Sequence, residues 1–302
     1  VEINEETGEN LMSGMGELHL EIIENRIKTE KGVRVKTGPP LVVYRETVIK
    51  ESPEVEVRTP NGHNIFSFSI EPLEESVYNS IEKGELPEIR IKKKNEEIWN
   101  KLSKLGISNE EARQYQEIYK GNVFIDATRG LTLLNEVIDS IIQGWRLVVD
   151  SGPLARESLT KTKFILHDAK LHVDHMHRGP AQVYPAVRKG IFETMKLAGP
   201  AILEPIQTHQ VEAPSDFMGK VTNLISSKRG VLESVNQESK SVVIKANIPV
   251  SEMIGWSNDL RSLTEGRGVS SLVDQHYKKL PTELQEYVIK KIRERKGIAV
   301  EA

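Results

Sequence analysis

The stretch LHVDHMHRGPAQVYPAVRK, residues 171–189, gathers His172, Asp174, His175, His177 and Arg178 into seven consecutive positions and follows them with Gly179 and Pro180. Imidazole can ligate a metal, carry protons as a base, or serve as the target of a covalent modification. If the strand preceding this stretch continued through it, alternation would put His172 and Asp174 on one face and His175 and His177 on the other. A His175–His177 pair completed by a distant carboxylate could then hold zinc and support a metal-dependent hydrolase. The helical H-E-x-x-H spacing of such enzymes is absent, and no further ligand is marked. His172 and His175 read as strand-end residues satisfied by backbone carbonyls. His177 is followed directly by Arg-Gly-Pro, a turn that exposes it to a modifying enzyme or to RNA. An ordinary surface histidine is the plain alternative.

Other chemistries find less support. The chain has no cysteine, which removes disulfides, thiolate nucleophiles and cysteine zinc sites. G-x-x-x-x-G-K-[ST] does not occur, and the G-x-G of SGMG near the start does not follow a strand. No G-x-S-x-G elbow names a serine nucleophile. No apolar run approaches the roughly 20 residues that span a bilayer, so a cytoplasmic protein without membrane contact is expected. The net charge of −3 gives no global attraction to nucleic acid, so any RNA contact must be a local patch.

The elements that position the histidines follow from periodicity. At 302 residues, with 38% hydrophobic and 28% charged side chains, the chain is long enough for two or three domains. There is no initiator Met, and residues 1–45 read as half of an α+β unit, a fragment whose partner half is missing. Leu18, Ile22, Ile23 and Ile27 form one helical face ended by Gly32, and VRVKTGPPLVVYRETV reads as a strand broken at Gly38-Pro39-Pro40. Val55–Arg58 and Ile65–Ile70 alternate about TPNGHN and predict a hairpin with a polar tip. Helices are expected over KNEEIWNKLSKLG, over SNEEARQYQEIY with Ser108 and Glu111 in capping-box spacing, and over LTLLNEVIDSIIQGWRLVVD, the last lying on a sheet. TKFILHDAKLHV returns as a strand. Pro185 is expected in the first turn of a helix burying Val187, Ile191 and Met195 and ending at Gly199. Residues 201–276 contain two successive βαβ units, with Ser215 and Ser251 as helix caps, which predicts a ferredoxin-like split βαβ domain. Its strands lack the aromatic RNP1 pattern of RNA-recognition domains, although a stand-alone RNA-binding protein stays open. A last helix buries Leu284, Val288 and Ile292 and ends in Lys290, Lys291, Arg293, Arg295 and Lys296, which suit a helix C-terminus or a phosphate.

Several of these segments together carry a resemblance. GMGELHLEI, LHVDHMHRG, QVYPAVRKGIF, ILEPIQTHQVEAP, RGVL and IPVSEMIGWSNDLRSLTEGRG resemble the elongation factor 2 family, the archaeal and eukaryotic counterpart of bacterial elongation factor G. The match covers essentially the whole chain in order. The archaeal form is nearer, since Pro180 and Ala181 stand where eukaryotic members carry a glycine run. The resemblance implies an α+β multidomain fragment. Residues 1–45 would be the C-terminal part of domain III. Residues 46–199 would be domain IV, a sheet covered by helices like ribosomal protein S5, with the helix 281–296 packing back on it. Residues 200–276 would be the ferredoxin-like domain V. It also implies that His177 is the residue converted to diphthamide, and that Pro60, Asn61, Gly62, His63, Asn64, Asp174, Arg178 and Gly179 form an RNA-contacting tip. The function implied is ribosomal translocation of tRNA and mRNA, with the tip entering the A site. The ribosome and the diphthamide-synthesis enzymes would be partners of a monomeric protein. No catalytic residue or cofactor is expected in this chain; GTP and Mg would belong to an N-terminal GTPase domain of the parent.

Overall fold

The computed structural model describes residues 2–3, 10–12, 14, 17–38, 40–91, 95–128 and 131–298. In chain order the elements are β1 (Glu2–Ile3), β2 (Asn10–Leu11), α1 (Glu17–Glu30), β3 (Arg45–Val48), β4 (Val55–Arg58), β5 (Ile65–Pro72), α2 (Glu75–Glu82), α3 (Glu96–Lys104) and α4 (Asn109–Gln114). There follow β6 (Tyr115–Tyr119), β7 (Asn122–Asp126), α5 (Ile138–Asp150), β8 (Thr162–Lys170), α6 (Pro180–Leu197) and β9 (Pro200–Pro214). The last are α7 (Met218–Ser227), β10 (Val231–Gln237), β11 (Ser241–Pro249), α8 (Trp256–Leu263), β12 (Val269–Lys279) and α9 (Thr282–Arg295). The fold is multidomain α+β. Two compact units are formed, one from residues 1–43 and 204–278, the other from 44–203 and 279–302.

In the unit containing the histidine loop, five strands run in the order β4-β5-β8-β7-β6. Neighbours are antiparallel except β7 and β8, which are parallel and joined through α5. Alternation assigns each strand's residues to two cores. Phe124, Phe164 and Leu166 face α5 and α6, where they meet Phe68, Ile141, Trp145, Val187 and Ile191. Val123 and Ile125 face the other way, into a core with Leu102 and Ala112 from α3 and α4. Each fully buried aromatic or Leu/Ile side chain contributes about 1.5–3 kcal/mol, which makes this a stiff platform. Two glycines allow the close approach. A Cβ on Gly190 of α6 would lie 2.5 Å from the Phe68 ring, and one on Gly144 of α5 would lie 3.2 Å from Val187.

A second fixture sits under α9. Glu46 of β3 is fully buried. Its carboxylate accepts backbone N–H groups from Leu154 at 2.8 Å, Ala155 at 2.8 Å and Glu157 at 3.1 Å. Only glycine fits at position 152, where a Cβ would stand 2.4 Å from the Glu46 oxygen. Glu157 then holds the end of α9 through Arg295 at 3.3 Å and Lys296 at 2.9 Å. Burial pushes the Glu46 carboxyl up to about 7, against the pull of its three N–H donors.

The other unit has the strand order β10-β11-β9-β12, with the helices α7 and α8 connecting strands as in a split βαβ domain. Val211, Ile244 and Ile248 pack beneath Val221, Ile225, Trp256 and Leu260. His209 is buried beside them, its ring nitrogens on Ser270 Oγ at 2.9 Å and Gln207 Oε1 at 3.1 Å. Burial draws its pKa down to about 4. Among the described residues no helix is long and apolar enough to cross a membrane.

The structure departs from the sequence expectations at several places; among them, the helix expected from Leu131 starts at Ile138 after a 3-10 turn, and of Leu284, Val288 and Ile292 only Ile292 is fully buried. Residues 33–38 form no strand; Val33, Arg34 and Lys36 are exposed, so the alternating run has no face to bury. The helix capped by Ser108, whose Oγ does accept the Glu111 N–H at 3.1 Å, stops at Gln114, and Tyr115–Tyr119 turns into a strand because Tyr115 and Ile118 fill the sheet core. The helix after the histidines begins at Pro180, leaving Pro185 inside it. Ser215 caps nothing and donates to the Glu238 carbonyl, and α8 is entered through Gly255 at φ 79°, not through Ser251. Residues 15, 16 and 39 and the Leu18 side chain lie outside the described residues.

Candidate functional site

At one end of the five-stranded sheet, the β4–β5 turn meets the loop between β8 and α6. The turn follows from its sequence. Pro60 and Asn61 take the corner positions, and Gly62 at φ 75° lets its N–H return to the Thr59 carbonyl at 2.8 Å. Thr59 N–H then bonds the Asn64 carbonyl at 3.0 Å and closes the hairpin. Asn61 Oδ1 accepts from Thr59 Oγ1 at 2.6 Å and from the His63 N–H at 3.1 Å, so the tip is rigid without outside help.

The histidine loop is built differently from the strand continuation expected. β8 ends at Lys170, and His175–His177 is a 3-10 turn capped by Asp174, whose Oδ1 accepts the Met176 N–H at 3.0 Å. The two-face alternation therefore does not apply. His172 and His177 share a cluster with His63, the ring centroids being 4.3 Å (His63–His177), 4.7 Å (His172–His177) and 5.0 Å (His63–His172) apart. His175 stands outside it, its side chain 80% exposed. The Asp174 N–H donates to His172 Nδ1 at 3.1 Å, which leaves the His172 proton on Nε2. The Asp174 carboxyl is held below its usual range, first by the Met176 N–H and then by the nearby imidazoles.

Two asparagines join turn and loop. Asn64, fully buried, accepts the His172 N–H on Oδ1 at 3.0 Å and donates from Nδ2 to the His177 carbonyl at 2.7 Å. Asn61 Nδ2 donates to the same carbonyl at 3.1 Å, and the Asn61 N–H reaches Gln182 Oε1 in the first turn of α6 at 2.9 Å. Gly179 is the N-cap position of α6, where its carbonyl takes the Gln182 and Val183 N–H groups.

Of the residues singled out from sequence, Pro60, Gly62, His63 and Asp174 lie on the surface of this tip, and Asn61, His177 and Gly179 are half-buried in it. Asn64 and Arg178 lie behind it. Arg178 is 7% exposed and bonds Glu136 at 2.9 Å and the Val173 carbonyl at 3.3 Å, tying the loop to the segment before α5. Sequence reasoning missed Val173 and Met176, which stand 82% and 74% exposed on the tip. Their signal was apolar residues interleaved with a polar loop rather than spaced for a core. Gln182 was also missed. Among the described residues no group of three or more His, Asp or Glu could hold a metal.

The structure is an α/β sheet packed on both faces that carries a polar, hydrogen-bonded tip at one end. The family model for elongation factor G domain IV matches residues 87–199, that for the elongation factor G C-terminus matches 201–300, and that for elongation factor G domain III matches 1–39. Elongation factor 2 of Methanocaldococcus jannaschii is 47% identical over 303 residues, covering 100% of this chain and 42% of the relative. That of Thermococcus onnurineus is 44% identical over 298 residues, covering 99% and 41%. That of Methanopyrus kandleri is 46% identical over 303 residues, covering 100% and 24%. The chain belongs to the elongation factor G and elongation factor 2 family. It spans about two-fifths of the length of the first two of these relatives.

Proposed function

We propose that this chain is the C-terminal portion of a cytoplasmic translational GTPase that promotes ribosomal translocation of tRNA and mRNA. In this reading residues 1–45 belong to domain III, residues 46–199 with the helix 281–296 are domain IV, and 200–276 are domain V. His177 is the diphthamide target, and the tip enters the A site. The observation that carries the reading is the locking of the His177 carbonyl by Asn61 and Asn64, which fixes the residue's backbone while its ring stays half-exposed at the end of the sheet. An A-form helix exposes a wide, shallow minor groove with 2′-hydroxyls, and short polar tips touch such a surface better than a base-reading helix does. The half-exposed imidazole beside them, packed against His63 and His172, is the ring a modifying enzyme would reach.

Footprinting of the chain on ribosomes tests the proposal. Protection confined to the decoding region of the small subunit is the expected result. Protection of unrelated RNA would replace it with a stand-alone RNA-binding role, and no protection at all would reject both readings. Incubation with diphthamide-synthesis enzymes should raise the mass of the peptide containing His177 and of no other.

A further inference from the structure

At the root of the tip, cross-strand pairing sets Arg58 of β4 opposite Ile65 of β5, and Ile65 opposite Lys170 of β8. Directly opposed residues of antiparallel strands share a face of the sheet. Their neighbours along the strands, Val57, Phe66 and Ala169, are buried in the core with α5 and α6, so the row Arg58–Ile65–Lys170 points to the other face. The core on that other face is built on β6 and β7. Over β4, β5 and the end of β8 the face stays open: Arg58 and Lys170 are exposed and Ile65 is half-buried between them. Arg58 directly precedes the turn 59–64, and Lys170 is the last residue of β8 before the histidine loop.

Neither cation is committed to a partner within the fold. Among the described residues Arg58 has no side-chain hydrogen bond or ion pair, and Lys170 meets only Glu56, at 3.9 Å. Both side chains of that pair are about two-thirds exposed, so water screens it. The next row along the strands reverses the sign. Glu56 pairs with Ser67 and Ser67 with Asp168, and both carboxylates are exposed. Glu54, which accepts from Ser67 Oγ at 3.0 Å, adds a third.

We propose that the row Arg58–Ile65–Lys170 is a second RNA contact, which takes the phosphate backbone of the strand that the tip touches. It rests on the ribosomal reading of the tip. The guanidinium offers a phosphate two parallel N–H donors, and the ammonium binds as a point charge. Two strand spacings, about 9–10 Å, separate the two backbones, and a ribose can lie on Ile65 between them. The acidic row begins about 7 Å further along the strands and repels phosphate, which keeps the RNA at the root of the tip. An RNA backbone fits this arrangement because it presents a line of anions beside the surface that the tip already meets.

The affinity of the whole chain for ribosomes, measured from about 50 to 300 mM salt, tests the proposal. Arg58→Gln combined with Lys170→Gln should weaken binding about tenfold and flatten the slope of log affinity against log salt by about 1.5, the share of two phosphates. Tm should not move, since both side chains are exposed and uncommitted. Glu56→Gln removes a repelling charge and should tighten binding about two- to threefold. The chain has no cysteine, so iron tethered at Glu56→Cys reports what lies against the row, and cuts in the ribosomal RNA backbone are expected. Cuts confined to a ribosomal protein would overturn the proposal in favour of a protein partner. Unchanged affinity and salt slope in the double variant would also overturn it, while protection of the decoding region by the parent would leave the reading of the tip intact. Loss of that protection in the parent itself would remove the reading of the tip and this contact with it.

Discussion

The side-chain amide of Asn64 donates to the backbone carbonyl of His177 at 2.7 Å across 113 residues of sequence. The same amide accepts the His172 N–H, so one buried side chain holds both ends of the histidine loop. Asn64→Asp replaces the donor with a second acceptor facing a carbonyl. It should cost about 2–4 kcal/mol, because a buried polar group is left unmatched and repelled. Thermal unfolding checks the cost, and faster amide exchange at residues 172–178 should locate it. Exchange that rises evenly through the sheet would contradict this role.

His177→Ala should leave stability within about 1 kcal/mol of the parent, since the loop is held by this residue's main chain and not by its ring. The variant should accept no mass addition from the diphthamide enzymes. A drop in Tm of more than about 4 °C would instead give the ring a structural part.

Glu46 makes the unit of residues 44–203 sensitive to alkali. Its folded pKa of about 7 lies above the ordinary carboxylate value of 4.5, so its contribution is complete below pH 4.5 and is lost as pH rises through 7. The loss amounts to about 3 kcal/mol. Glu46→Gln should flatten that dependence. It should also lower stability at pH 5, because its amide NH2 would face one of the backbone N–H donors. Denaturant unfolding between pH 4.5 and 8 measures both effects.

His209 works in the opposite direction in the other unit. Its folded pKa of about 4 lies below the ordinary 6.5, so its contribution is present above pH 6.5 and is lost as pH falls toward 4. Amide exchange of β9 and β11 should therefore accelerate between pH 6.5 and 4, after correction for intrinsic rates, by an amount equivalent to about 3 kcal/mol. His209→Gln should suppress the change.

Gly190→Ala tests the seating of α6 on the sheet. The added Cβ would meet the Phe68 ring at 2.5 Å and Val57 at 3.2 Å, and neither core position has room to yield. Overpacking of this kind costs about 1–3 kcal/mol, readable as a fall in Tm without loss of the far-UV signal.

The parts of this fold that could be read from sequence are those governed by local chemistry. The turn TPNGHN declared itself through Pro, Asn and Gly between two alternating runs, and α5 through its apolar stripe from Ile138 to Val148, although the stripe's earlier part from Leu134 falls in a 3-10 turn. Features decided by distant partners could not be read. Tyr115 and Ile118 follow a well-capped helical turn, and only the sheet core waiting for them makes that segment a strand. Ser215 and Ser251 have the right type for caps, but both lie in 3-10 turns; α7 follows its turn directly, and α8 is entered later through Gly255. At the tip, sequence marked His177 and the residues around it, yet treated Asn64 and Arg178 as contact groups. Their burial follows from the loop folding over them, a long-range event that no spacing encodes. The resemblance placed His63 in the tip with His177, but the gathering of His63, His172 and His177 into one ring cluster was not legible from spacing.

The doubly held carbonyl at residue 177 has a geometric consequence. With the main chain clamped from two sides, the Cα and Cβ of that residue form a fixed pivot, and only two side-chain torsions remain free. Any group attached beyond the ring therefore starts from a fixed origin, and its reach is set by those two torsions and by its own length.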